Sequence, residues 1–249
     1  MRKISKFLDA IKFLFKVAVL YIGSNIIGLI FCVLIKEKNI ATFFQTIFVL
    51  IFIILSLKYH YRDNWSGLLK RFSVNKISFK IVILILIFFI LTSIVSTSVS
   101  INIVKIFNIY IPNLNTTLLD VTMLGVIIDS IIIPIIEEII FRGLIFSKLL
   151  RSYNIKIALI AQAFIFGILH SNTEQKIYTF ILGISFGIIY IYTKSLLAPI
   201  IMHSLNNMMV YLCQGKDILM NTRLEQIITL IFVIPYIIII VKIIKKHRT

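Results

Sequence analysis

The chain has 249 residues, of which 59% are hydrophobic and 14% charged, and its mean hydropathy is +1.03. Soluble domains carry about a quarter charged residues, so this composition excludes an ordinary soluble fold and predicts an integral-membrane protein. The net charge of +16 sits in short connections between apolar runs, which fits membrane orientation and gives no case for nucleic acid as a partner.

The start, MRKISKFLDAIKFLFK, has a basic rim followed by apolar residues and predicts an interfacial amphipathic helix over 1–15. Its apolar run continues to Ile35 without a small-residue cleavage site, so it reads as the lead into a first span at about 17–35 and not as a cleaved signal. Further runs of near-spanning length fall at about 40–57, 81–101, 121–145, 155–171, 177–193, 196–213 and 226–241. The expected fold is therefore all-α: a polytopic bundle of about eight transmembrane helices forming one domain over 1–249. The connection at 58–80 is basic and is expected to lie on headgroups through Trp65 and Phe72, while 102–120, with Pro112 and several Asn, reads as an external loop. All Lys and Arg except Lys36, Lys38, Lys105, Lys176, Lys216 and Arg223 fall on one set of alternate connections, which predicts a multi-pass protein of the cell membrane with both termini cytoplasmic. Cys32 and Cys213 lie in apolar segments and read as small hydrophobes, not as a disulfide.

Three polar insertions interrupt these runs. In PIIEEIIFRGLIF, at 134–146, Glu138 and Arg142 are four apart and share a helix face, which suits an ion pair, whereas Glu137 is turned away by about 100° and lacks that partner. Charged groups at such depth cost roughly 2.5 to 3.5 kcal/mol on insertion scales and usually face a bundle interior or wet cavity. Glu137 is therefore the expected reactive carboxylate, with Glu138 and Arg142 as its support. His170 closes the run IALIAQAFIFGILH with Phe166 one turn before it, and His203 lies in LLAPIIMHSLNNMM with Asn207 one turn after it. His60 and His247 stand in basic, polar surroundings and carry no such signal.

Together, E-E-x-x-x-R at 137–142, F-x-x-x-H at 166–170 and H-x-x-x-N at 203–207, in this order on separate apolar segments, resemble the signature motifs of the CAAX-protease and bacteriocin-processing family of intramembrane peptidases. Pro134 and the F-R-G at 141–143 resemble the usual flanks of the first motif. The likeness covers about 120–215 and implies a peptidase of membrane-associated peptide or protein substrates. In bacteria it implies leader, bacteriocin or pheromone peptides, or self-immunity. It also implies roles: Glu137 as general base, His170 holding the water, His203 and Asn207 donating to the oxyanion, and Phe166 shaping the pocket wall. No cofactor is required in that scheme. A divalent metal such as zinc on Glu137, His170 and His203 is the open alternative.

Other readings follow from the same residues. Intramembrane acids and imidazoles also mark transporters, but here they cluster on late helices without paired broken helices in two halves; a catalytically silent scaffold is the remaining class. The G-x-S-x-G at 183–187 spells a nucleophile elbow but lies mid-helix, so Gly183 and Gly187 are expected to be a packing face and Ser185 to be inert. H-E-x-x-H is absent. Asp129, two turns before Glu137, is expected to be solvated.

Overall fold

The computed structural model describes residues 43–51, 73–109, 122–170, 172–213 and 222–246, together with isolated positions between 12 and 54. The expectations for 1–35, for Trp65 and Phe72 and for Cys32 fall outside these residues, so the count of eight spans is not checked by them. Among the described residues the secondary structure is helical, without strands. The late helices are α1 (Phe79–Ile106), α2 over 123–152, α3 (Ile155–Ile168), α4 (Thr173–Thr193), α5 (Leu197–Cys213) and α6 (Thr222–Lys246).

Boundaries follow local chemistry. α1 runs past the span expected at 81–101 into the segment read as a loop. Asn102 satisfies its own amide by donating Nδ2–H to the Ser98 carbonyl at 2.8 Å, and Ile103, Val104 and Ile106 keep the segment apolar. α3 starts where the Asn154 side chain accepts from Ile157 N–H, and α4 starts where Asn172 accepts from Gln175 N–H. α3 stops at Ile168, so His170 stands just beyond the helix end, with its N–H on the Gly167 carbonyl. The turn is tight: a Cβ on Gly167 would lie 2.8 Å from the Lys176 carbonyl oxygen.

α2 is one helix with changing hydrogen-bond register. It reads α over Met123–Ile127, π over Ile128–Ile132, α over Ile133–Glu138, π over Ile139–Phe146 and α over Ser147–Ser152, with right-handed helical backbone at every junction. Pro134 supplies no N–H, and the turn before it takes the wider register, in which Ile133 N–H bonds to the Ile128 carbonyl. The glutamate pair therefore sits on a short α segment between two π stretches.

The bundle has an apolar core with polar groups inset on some helix faces, and an apolar outer surface. The buried face of α1 carries Thr92, Ser93, Ser96, Ser98 and Ser100, while Ile83, Leu84, Leu86, Ile87 and Ile90 face outward. On α3 the buried face holds Ala158, Gln162, Ala163 and Phe166, and Ile157, Ile160, Phe164 and Ile168 are exposed. Large apolar side chains on the outer surface are at home in lipid and costly in water. Two described helices, Phe79–Ile106 and Thr173–Thr193, are long and apolar enough to cross a membrane. Together these make the chain a membrane protein.

α4 is the central helix, packed against α1, α3, α5 and α6, and α5 crosses both α4 and the first half of α2. The close approach of α3 and α4 is made at glycines: a Cβ on Gly183 would meet the Ala163 Cα at 2.9 Å, and one on Gly187 would meet Leu159 Cδ1 at 2.6 Å. This is the packing face expected for the two glycines. Ser185 between them is buried, hydrogen-bonded to Tyr236 Oη at 2.6 Å and approached by Thr92 Oγ1 at 3.2 Å, and so acts as interhelical glue.

Candidate active site

Helices α2, α3, α4 and α5 bring the three motifs to one place. Glu138 and Arg142 are fully buried, with Arg142 Nη1 donating to Glu138 Oε1 at 2.7 Å. The guanidinium also donates from Nη2 to the Gly183 carbonyl on α4 at 3.3 Å and lies over the Phe166 and Phe186 rings, 4.7 and 5.0 Å from their centroids. Fixed on a carbonyl and two π faces, Arg142 pairs with Glu138 in an otherwise apolar core.

His203 stands between the two glutamates. Its Nδ1 is 2.9 Å from Glu138 Oε1, and its Nε2 is 3.6 Å from Glu137 Oε2. The ring stacks on Phe186 at 4.9 Å between centroids and meets Phe166 edge-on at 5.8 Å. The carboxylate of Glu138 thus sets the tilt and tautomer of an imidazole whose other nitrogen faces Glu137. The glutamates differ in environment as the wheel predicts: the Glu138 side chain is 0% exposed and Glu137 22%.

His170 reaches the same centre from the α3 end. Its Nδ1 lies 3.0 Å from the Phe166 carbonyl oxygen, which makes Nδ1 the protonated nitrogen and leaves Nε2 as an acceptor. Its ring meets that of Phe166 edge-on at 5.1 Å between centroids. Phe166 is the common wall, touching Phe141, His170, His203 and Phe186.

Asn207 has a structural bond as well. Its Nδ2–H donates to the Asp129 carbonyl at 2.8 Å, within the first π stretch of α2, and its Oδ1 is approached by Asn206 at 3.5 Å. Asn206 in turn accepts from Tyr178 Oη–H at 2.6 Å. Asp129 is not the solvated residue expected from sequence: it is half-buried, with its carboxylate accepting from Tyr211 Oη–H. Tyr211 is two turns after His203 on α5, so Asn207 and Tyr211 form a ladder that ties α5 to α2 beside the site. Sequence reading also missed Gln162, which is fully buried and donates to the Gly183 carbonyl at 2.7 Å, on the same oxygen that Arg142 uses. Its place one turn before Phe166, on the His170 face, was the available signal.

Three potential metal ligands, Glu137, His170 and His203, are present in the site. Among the described residues no three His, Cys, Asp or Glu side chains are arranged to hold a metal ion. His203 Nδ1 is bonded to Glu138, so Nε2 is the nitrogen that would face a metal beside Glu137.

A family model described as type II CAAX prenyl endopeptidase Rce1-like matches residues 119–209. The match covers under half of the chain, and over these residues the chain is similar to the Rce1-like family. The matched segment runs from just before α2 into α5 and contains all three motifs, and the family is one of proteases. No curated protein and no solved structure is significantly similar to the chain. Within the matched segment, every motif side chain except Asn207 contacts another motif residue.

Proposed function

We propose that the chain is a multi-pass intramembrane endopeptidase of the cell membrane, with both termini cytoplasmic, that hydrolyses a peptide bond in a membrane-associated peptide or protein. The observation that carries this reading is the division of labour between adjacent glutamates: one locked to Arg142 and His203, the other partly exposed beside the free edge of the same imidazole.

In this scheme Glu137 takes a proton from water as its oxygen attacks the scissile carbonyl carbon. His170 Nε2 holds that water from the opposite side, with its own Nδ1–H spent on Phe166 O. The tetrahedral oxyanion accepts from the second amide hydrogen of Asn207 and from Nε2–H of a doubly protonated His203, whose Nδ1–H is held by Glu138. Collapse breaks the C–N bond, and the proton on Glu137 passes to the leaving amine. Substrates of the class suggested by the motifs are signalling, leader or bacteriocin peptides, matured or destroyed at the membrane.

The test compares membrane-associated peptides of cells carrying the wild-type chain and Glu137→Ala. Loss of specific cleavage products with the protein still inserted is expected; identical peptide profiles would leave only a scaffold role. Metal content measured on the purified protein, alongside activity in chelator, tests the metal-free route. Stoichiometric zinc with activity lost on its removal would overturn it.

A further inference from the structure

At the end of the bundle where α2 gives way to α3, away from the glutamate pair, a cleft of about 630 Å³ opens between the α2–α3 turn and the last turn of α4. Leu150 and Ile191 form apolar walls, Asn154 and Tyr190 add polar atoms, and Lys156 and Lys194 stand at its rim on different helices. Neither lysine forms an ion pair among the described residues, and both are exposed. The rim is fixed by the chain before α1. Leu196 N–H donates to the Ser73 carbonyl at 3.0 Å, Asn75 Nδ2–H to the Lys194 carbonyl at 2.6 Å, and Ser195 Oγ–H to the Asn75 carbonyl at 2.6 Å. Lys194 is itself held in the left-handed region at φ 50°, the end of α4.

We infer that this cleft binds the phosphate headgroup of an anionic lipid. Two exposed ammonium groups on the rim of one cleft, without an ion pair among the described residues, favour an anion, and the apolar walls favour one that carries hydrocarbon. The outer face of α3 supplies the continuation: Ile157, Ile160, Phe164 and Ile168, all exposed, run down the helix from the residue next to Lys156 and give an acyl chain a track. A free phosphate shares the headgroup chemistry but makes no use of that track.

The full chain in phosphatidylcholine nanodiscs with and without phosphatidylglycerol separates the sources. Phosphatidylglycerol is expected to raise the thermal unfolding midpoint and to remain bound in native mass spectra. Lys156→Gln with Lys194→Gln should weaken that retention by about thirtyfold, whereas Lys148→Gln with Arg151→Gln, which removes the same charge from the same end outside the cleft, should leave it unchanged. Equal loss from both double variants would reduce the effect to general surface charge and overturn the site. An equal midpoint shift from inorganic phosphate in phosphatidylcholine alone would overturn the lipid assignment.

Discussion

Two polar regions lie inside this apolar bundle, and they solve the same burial problem differently. The seam between α1, α4 and α6 is neutral: Thr92, Ser185 and Tyr236 bond to one another, and Ser185 and Tyr236 both reach the Ile181 carbonyl. The centre shared by α2, α3 and α5 is ionic, and one member, Glu137, is left with only a 3.6 Å approach to His203. The hydroxyls of Thr92, Ser185 and Tyr236 are satisfied within the seam and stop there. A partly exposed carboxylate beside an imidazole retains capacity for a ligand or a proton. The difference separates adhesion from chemistry more sharply than polarity does.

The contrast breaks most visibly at Glu137. Glu137→Ala is expected to lower peptide cleavage by about 10²- to 10⁴-fold with the unfolding midpoint nearly unchanged, as read by a cleavage assay and a thermal melt of the same nanodisc sample. Glu138→Ala acts on stability as well, because it strands the Arg142 cation in the core, at about 3 to 5 kcal/mol. The double replacement Glu138→Leu with Arg142→Met should recover much of that stability in denaturant titration while cleavage stays absent, since His203 has lost its anchor. Gly183→Ala pushes a methyl toward the α3 backbone at Ala163 Cα and should destabilise by about 1 to 3 kcal/mol, with cleavage reduced through displacement of the carbonyl that Arg142 and Gln162 share. At the seam, Ser185→Ala should cost only about 0.6 kcal/mol and leave cleavage within twofold of wild type; loss of activity there would erase the distinction between the two regions.

Much of the site was legible because ionisable residues are so rare in these segments. The Glu138 to Arg142 pairing came from spacing alone, as did the separate face of Glu137, and the structure has that pair at 2.7 Å. What stayed hidden depends on partners distant in the chain. Nothing near Asp129 announces Tyr211 and Asn207, and nothing near His203 announces that Glu138 serves it as well as Arg142. Gln162 was overlooked because an amide in an apolar run is not charged. Helix ends were misjudged where side chains, not hydropathy, decide them, as at Asn102 and Asn172, whereas α3 starts at Ile155 as expected. The π stretches of α2 left no mark in composition beyond Pro134.

Those stretches let α2 lose a residue without turning the glutamate pair away from His203. Each wide turn stores one residue more than ordinary winding needs, so a deletion between 143 and 146, beyond Arg142, would restore that winding while the segments on either side keep their facing. The same deletion in an ordinary α stretch would swing everything upstream by about 100°, the offset between neighbouring residues, and exchange the carboxylate that His203 meets.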